Sequence, residues 1–224
     1  MFIPIGDTNI EKGSFPFFTY LFIAANIVVF LYQVSMPPQL QEAFVYQYGS
    51  IPAYITNGFR LETLFTSMFL HGGWMHLIGN MMFLWIFADN IESTIGSFKF
   101  VLFYLGGGVA AALTHAFLNA HSDMPCVGAS GAIAACLGAY IIMFPKSRIK
   151  VLFLIFLTTF RVPAVFFLGF WIINQLLSGV GTLGAVTSDT SGVAYWAHIG
   201  GFAFGIIFGL TYKGKADTMV MEDE

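Results

Sequence analysis

The amino-acid sequence predicts an all-α membrane protein, a bundle of six transmembrane helices with a membrane-associated first loop. Hydrophobic residues make up 57% of the chain and charged residues only 9%. A soluble domain has about a quarter of its residues charged, so these charges are too few to cover a water-facing surface. The apolar residues also fall in long runs that charges and helix breakers separate. Together these observations predict an integral membrane protein surrounded by the lipid bilayer.

A helix needs about 20 apolar residues to cross a bilayer, and six runs of the chain approach that length. We predict a single transmembrane domain over residues 1–224 with spans at residues 17–34, 74–90, 100–120, 128–144, 161–178 and 193–212. The loop after the first span mixes aromatic and polar residues, which is typical of the membrane interface. The apolar stretch 151–160 is followed by Arg161, and a charge inside the bilayer is costly. We therefore expect this stretch at the membrane surface.

The basic residues orient the predicted bundle, because cytoplasmic loops carry an excess of lysine and arginine. With the N-terminus in the cytoplasm, eight of the nine basic side chains lie on the cytoplasmic side and Arg60 alone lies opposite. The eight are Lys12, Lys99, Lys146, Arg148, Lys150, Arg161, Lys213 and Lys215. We predict a multi-pass protein of the plasma (inner) membrane with both termini in the cytoplasm. The basic residues form no run, so nucleic acid is not an expected partner. The oligomeric state is not predicted.

Three polar side chains stand out inside the predicted spans, where an unpaired polar group is costly. His76 and Asn80 are four residues apart on the second span, so they share one face of that helix. His198 lies on the sixth span. A lone membrane histidine can simply make a hydrogen bond between helices, so these residues point to function only if they converge on one place.

Rows of small residues indicate where two of the spans pack, because small side chains let helix backbones approach closely. The fourth span carries Ser130, Ala134 and Gly138, and the sixth carries Gly201, Gly205 and Gly209. Ser130 and His198 stand near the outer ends of these rows, so packing of the rows would bring both to the same depth. An imidazole that removes a proton from a serine turns it into a nucleophile. The sequence therefore predicts a Ser–His dyad.

Further groups near Ser130 are candidates to stabilise a developing oxyanion. His76, Asn80 and backbone N–H groups at the start of the fourth helix are suitable donors. No span interior offers an acidic residue to complete a triad. The motif Gly128-Ala129-Ser130-Gly131 alone is weak evidence, since glycine and serine are common at membrane helix contacts. Histidine spacing is unlike that of metal ligands, so no metal or other cofactor is expected.

The sequence resembles the rhomboid family of intramembrane serine proteases over most of its length, in the form of a minimal six-span bacterial member. Four blocks carry the resemblance in the family's order, at residues 66–73, 76–80, 128–132 and 197–201. The resemblance implies Ser130 as nucleophile and His198 as general base. It implies His76, Asn80 and the backbone N–H of Ser130 as the oxyanion site, with Gly128 and Ala129 in substrate binding.

The resemblance also implies structural roles and a class of substrate. Packing support falls to Gly131, Gly201 and Gly205, and Glu92 matches an acidic residue that braces the cytoplasmic side. Ala134 replaces a tyrosine that stacks on the base in some members, which leaves the support of His198 open. Expected substrates are single-span membrane proteins cut near the outer membrane face, from a site that opens to the extracytoplasmic side. The fifth helix and the loop 179–192 are expected to gate entry.

Two other function classes compete with a protease. A non-catalytic rhomboid-like protein would bind client transmembrane helices, but such proteins typically lack the serine or the histidine. A channel or transporter needs a continuous polar path through the membrane, whereas the inward half of every predicted span is apolar or small.

Overall fold

A computed structural model describes residues 2–10, 13–182 and 194–219, and α-helix is its main component. The helices are α1 (Phe17–Ser35), α2 (Pro38–Tyr48), α3 (Pro52–Thr56), α4 (Thr63–Thr66), α5 (Trp74–Ile95), α6 (Ser97–Leu118), α7 (Ser130–Met143), α8 (Ala164–Thr182) and α9 (Tyr195–Ala216). A short 3₁₀ helix, Ser67–Phe69, precedes α5. Strands are β1 (Phe2–Gly6), β2 (Arg148–Phe153) and β3 (Thr158–Pro163). Most of the predicted gating loop 179–192 and residue 193 of the sixth predicted span lie outside the described residues.

Each predicted span corresponds to one long helix, namely α1, α5, α6, α7, α8 and α9. Within the described residues, three of them are long and apolar enough to cross a membrane by themselves, namely α1, α6 and α8. The apolar helix α7 is shorter, with 14 residues. Polar residues such as Asn80, Asn90 and Glu92 lower the hydropathy of α5. The chain is thus an integral membrane protein, and the six-span topology stays a prediction.

The all-α prediction is wrong at one end of the molecule. There β1, β2 and β3 form an antiparallel sheet in that order. The stretch 151–160 belongs to the hairpin of β2 and β3, in which Lys150 lies opposite Arg161. The fifth long helix begins at Ala164 and not at residue 161, since β3 continues to Pro163.

Alternation along β2 gives the physical reason for this sheet. Ile149 and Val151 are buried against the bundle, whereas Arg148 before them and Lys150 between them are exposed. A period of two is the period of a strand, and β-branched residues fit a pleated, half-buried surface. The alternating stretch therefore pairs as a strand.

Helix α7 forms the centre of the bundle, and every residue from 131 to 140 is buried. Its main neighbour is α9, and α5, α6 and α8 also pack against it. A side chain at Gly201 would collide with the carbonyl oxygen of Gly131, and one at Gly205 with that of Ala135. The α9 backbone thus rests directly on the α7 backbone. This contact fixes the N-terminal end of α9 beside the first residue of α7.

Gly131 and Glu92 pack in two different places. A Cβ on Gly131 would lie 2.5 Å from Cβ of Ala111, so the glycine makes room for α6. Glu92 is fully buried at the far end of α5. Its carboxylate accepts hydrogen bonds from the backbone N–H groups of Phe18 and Thr19, at 3.0 and 2.7 Å. These N–H groups have no acceptor within their own helix, so Glu92 caps the start of α1.

Candidate active site

Ser130 and His198 lie within hydrogen-bond distance of each other where the N-terminal ends of α7 and α9 meet. Ser130 is the first residue of α7, and His198 lies in the first turn of α9. The distance from Ser130 Oγ to His198 Nε2 is 2.9 Å. That distance is suitable for transfer of the hydroxyl proton to the imidazole.

The second nitrogen of His198 also has a partner, which is Gln175 on α8. His198 Nδ1 lies 2.8 Å from Gln175 Oε1. An amide oxygen can only accept a hydrogen bond, so Nδ1 is the donor. A neutral imidazole carries one proton, and with that proton on Nδ1 the lone pair of Nε2 faces Ser130. This is the tautomer that a general base needs.

Trp171 supplies an aromatic neighbour for His198. The two ring centroids are 5.7 Å apart, with 37° between the planes. Trp171 and Gln175 are one helical turn apart, so one face of α8 presents both to the histidine. Ala134 stands at the position where some family members have the stacking tyrosine, and it is fully buried under Gly201. The aromatic neighbour of His198 therefore comes from α8 and not from α7.

Neither Trp171 nor Gln175 was among the predicted site residues. An amide inside an apolar span is the signal that singled out Asn80, and the same signal was present at Gln175.

His76 and Asn80 point at the backbone that precedes Ser130. A Cβ on Gly128 would lie 2.8 Å from Nε2 of His76 and 3.4 Å from Nδ2 of Asn80. Nδ1 of His76 accepts a hydrogen bond from the Gly72 N–H at 3.4 Å, so Nε2 of the neutral ring carries the proton. Both side chains therefore direct donors toward the space next to Ser130.

Asn80 is held by His71, a residue that was not predicted for the site although it lies in the block 66–73. The distance from Asn80 Nδ2 to His71 Nε2 is 2.9 Å. Burial lowers the pKa of His71 to about 3, so its ring is neutral and Nε2 can accept. Gln33 anchors the same segment by donating to the His71 carbonyl oxygen at 2.8 Å. An amide group has two hydrogens, and the second stays available to a substrate.

Backbone N–H groups at the start of α7 complete the donor set. Ala129 precedes the helix, is fully buried, and accepts a hydrogen bond from the Ile133 N–H at 2.9 Å. The N–H of Ser130 belongs to the first turn, where no intrahelical acceptor exists. Gly128 is held by its N–H, which donates to the Ser67 carbonyl oxygen at 2.9 Å. The site can thus surround an oxyanion with one backbone and two side-chain donors.

A small cavity adjoins Ser130, and mostly small residues line it. They include Ser67, Gly108, Ala111, Ala112 and Ala197. Such a lining admits a small side chain next to the serine. The described residues contain no group of three or more His, Cys, Asp or Glu side chains arranged to hold a metal ion.

Comparisons with known proteins identify the family of this chain. A family profile for the Rhomboid domain matches residues 58–215. The cattle presenilin-associated rhomboid-like protein, which is mitochondrial, is 29% identical over 200 residues, covering 85% of this chain and 47% of its own. Rhomboid protease GluP of Bacillus subtilis is 32% identical over 143 residues, covering 63% of this chain and 27% of its own.

A third relative is the mitochondrial Rhomboid protein 1 of Saccharomyces cerevisiae, 29% identical over 161 residues and covering 67% of this chain and 41% of its own. The chain spans less than half the length of these curated relatives. Since the family profile covers most of the chain, the protein belongs to the rhomboid family, which includes intramembrane serine proteases.

Proposed function

We propose that this protein is an intramembrane serine endopeptidase that cuts single-span membrane proteins near the outer membrane face. The observation that carries the proposal is the 2.9 Å hydrogen bond between Ser130 Oγ and His198 Nε2. A serine hydroxyl is a weak nucleophile unless an adjacent base accepts its proton, and this hydrogen bond provides that base.

The proposed reaction begins when Ser130 Oγ attacks the carbonyl carbon of a peptide bond while His198 Nε2 takes the hydroxyl proton. The carbonyl oxygen becomes an oxyanion, which accepts hydrogen bonds from Asn80, His76 and the Ser130 N–H. The imidazolium then gives its proton to the leaving amine as the C–N bond breaks, and an acyl-enzyme remains. Water attacks the ester while His198 takes a proton from it. Return of that proton to Ser130 Oγ releases the acid.

The surroundings of Ser130 support a peptide substrate that is locally unwound. The carbonyl groups of a helix are occupied by hydrogen bonds to the backbone, so a scissile bond must leave the helix before attack. Gly128 presents bare backbone beside the donors, and the adjoining cavity has room for a small side chain. These features favour substrates with small residues in a weak transmembrane helix.

The membrane topology belongs to the same proposal. The bias of basic residues supports six spans with cytoplasmic termini in a plasma (inner) membrane. In that orientation Ser130 lies toward the outer face, and the site opens to the extracytoplasmic side.

Cleavage of a reporter with one transmembrane helix, reconstituted with the protein in liposomes, tests the proposal. We expect Ser130→Ala and His198→Ala each to lower the rate by at least about a thousandfold. They should also abolish labelling by a serine-directed fluorophosphonate. His121→Ala is the matched control, because His121 is exposed in the loop before α7. Equal cleavage by Ser130→Ala and the parent protein would contradict Ser130 as the nucleophile, and binding of the reporter without any cleavage by the parent protein would indicate a non-catalytic binder of client helices.

A further inference from the structure

Gln175 takes no part in the proposed reaction, yet its hydrogen bond to the base is as short as that of Ser130. The distance from its Oε1 to His198 Nδ1 is 2.8 Å. In a Ser–His–Asp triad a carboxylate occupies this place and holds the histidine in its productive tautomer and orientation. We propose that Gln175 is the positioning residue of His198, so that α8 decides whether the base can act. This inference rests on the proposed function of Ser130 and His198.

The amide of Gln175 is suited to hold the ring but not to neutralise it. Its oxygen fixes the proton of a neutral imidazole on Nδ1 and so keeps the Nε2 lone pair directed at Ser130. A glutamine is uncharged, so it stabilises the imidazolium that forms during the reaction only through the dipole of its amide group. The predicted effect of Gln175 is therefore on orientation and tautomer.

The neighbouring amide of Asn174 indicates that this contact is not a generic feature of α8. Asn174 Nδ2 donates to the Phe170 carbonyl oxygen of its own helix at 2.7 Å, and its side chain is exposed. Gln175 reaches across to another helix. Both amides lie in the same apolar span, and only Gln175 satisfies its polar oxygen at the base.

Helix α8 buries a smaller part of itself inside the protein than the other two helices able to cross a membrane alone. In an apolar stretch of 18 residues from each helix, 17% of the residues are buried in α8, compared with 28% in α1 and 33% in α6. The fully packed positions of α8 are Ala164, Leu168 and Gly179. A helix with few buried contacts is displaced at low free-energy cost. A shift of about 1 Å at Gln175 would take the amide out of hydrogen-bond range, so Gln175 can orient His198 only while α8 rests against α9.

The groups that titrate near His198 must be known before a pH profile is interpreted. His76 on α5 and His115 on α6 are the titratable groups whose charges influence the imidazole of His198. Helix α8 carries no ionisable side chain. On α7, Cys136 and Tyr140 lie about two and three turns beyond Ser130. A carboxylate introduced at position 175 would therefore be the only ionisable group on α8, and it would lie next to His198.

Three variants separate positioning from packing. Gln175→Met keeps the length of the side chain and loses the acceptor, and we expect kcat to fall about 10- to 100-fold with KM little changed. Gln175→Glu keeps an acceptor and adds a negative charge that favours imidazolium. Its cleavage should persist, with the acidic limb of the kcat profile about one pH unit or more higher. Asn174→Met removes the neighbouring amide and should behave as the parent protein.

The outcomes distinguish this inference from the proposed function. If Ser130→Ala cleaves as fast as the parent protein, both fall together. If cleavage depends on Ser130 and Gln175→Met matches the parent, only the role of Gln175 falls. That role also falls if Gln175→Glu loses as much activity as Gln175→Met and its acidic limb does not move, since that result indicates packing alone. Unfolding midpoints in detergent identify any variant that is misfolded. If Gln175→Met is misfolded, the pH profile of kcat for Gln175→Glu decides whether Gln175 positions His198.

Discussion

At the scale of single residues, Gly128 has the strictest requirements in the candidate site. Its φ of +125° lies in a region that side-chain-bearing residues rarely adopt. A Cβ there would also approach Cε1 and Nε2 of His76 to 2.8 Å. The backbone conformation therefore disfavours any residue with a side chain, and such a residue would also have to displace the imidazole of His76. With glycine at this position the space beside Ser130 stays open for a substrate.

Gly128→Ala tests both the backbone conformation and the contact with His76. Its control, at Gly58, shares only the backbone constraint. We expect a loss of unfolding free energy of about 1 to 3 kcal/mol from the backbone, together with loss of cleavage because His76 is displaced. Gly58→Ala is the control, because Gly58 has a φ of +75° and nothing within 4 Å of a Cβ. It should cost about 1 kcal/mol and keep parental cleavage. Parental cleavage by Gly128→Ala would contradict the placement of His76.

Residues of the candidate site differ in how far the sequence reveals them. Ser130, His76, Asn80 and His198 are visible because polar groups in apolar spans are costly and their spacing defines a helix face. Gln175 carries the same signal, but its neighbour Asn174 lies on a different side of the helix, so the two amides do not define one face. The role of Gln175 depends on how α8 is rotated against α9, and no periodicity within a single helix records that rotation.

At the scale of elements, Glu92 joins the start of α1 to α5 and α6. Besides the two backbone groups of α1, its carboxylate accepts from Oγ1 of Thr19 at 2.8 Å and Oγ of Ser97 at 2.6 Å. Four donors thus converge on one buried acid. Hydrogen bonds to a charged group are stronger than neutral ones, and loss of the acceptor leaves buried donors unpaired.

Glu92→Ala should accordingly lower the unfolding free energy by about 2 to 4 kcal/mol, measured by denaturation in detergent micelles. Glu92→Gln keeps one acceptor oxygen and should lose less. Glu62→Gln serves as the control, since the Glu62 side chain is 64% exposed beside Arg60, and a surface change of this kind costs about 0.5 kcal/mol or less. Similar losses for Glu92→Ala and Glu62→Gln would contradict a capping role.

The sheet illustrates what remains hidden at the element scale. The pairing of β1 with β2 joins Phe2 to Phe153, and such long-range pairs leave no local pattern in a sequence. Strand β2 alternates, but its apolar content is also that of a membrane segment. Hydropathy therefore identifies where the long helices lie and misses the sheet, because hydropathy measures transfer to lipid and not hydrogen bonding between distant strands.

At the scale of the whole molecule, Asp7 connects the strand β1 to the two helices that carry Ser130, His76 and Asn80. Tyr140 of α7 hydrogen-bonds to the Asp7 carboxyl group, and Nδ2 of Asn90 on α5 donates to it at 2.9 Å. Asn90 also donates to the Thr8 carbonyl oxygen at 3.1 Å and accepts from the Ile10 N–H at 3.1 Å. The segment after β1 thus ties α5 to α7 at the end remote from Ser130.

Burial, and secondly the charge of Asp89, raise the pKa of Asp7 from 3.8 to about 8. The folded protein therefore keeps a proton that the unfolded chain releases. The resulting stabilisation is complete below pH 3.8, declines as pH rises, and is gone above about pH 8, with a slope of at most ~1.4 kcal/mol per pH unit.

Asp7→Asn, an uncharged amide of the same shape, should remove this pH dependence. Unfolding midpoints in detergent should show the variant gaining on the parent protein as pH rises toward 8. The exposed Asp123 in the loop before α7 provides the control, because Asp123→Asn should follow the parent protein throughout. A constant difference between Asp7→Asn and the parent across this range would mean that Asp7 is ionised in the folded protein. The tie between α5 and α7 would then depend on charge and not on a retained proton.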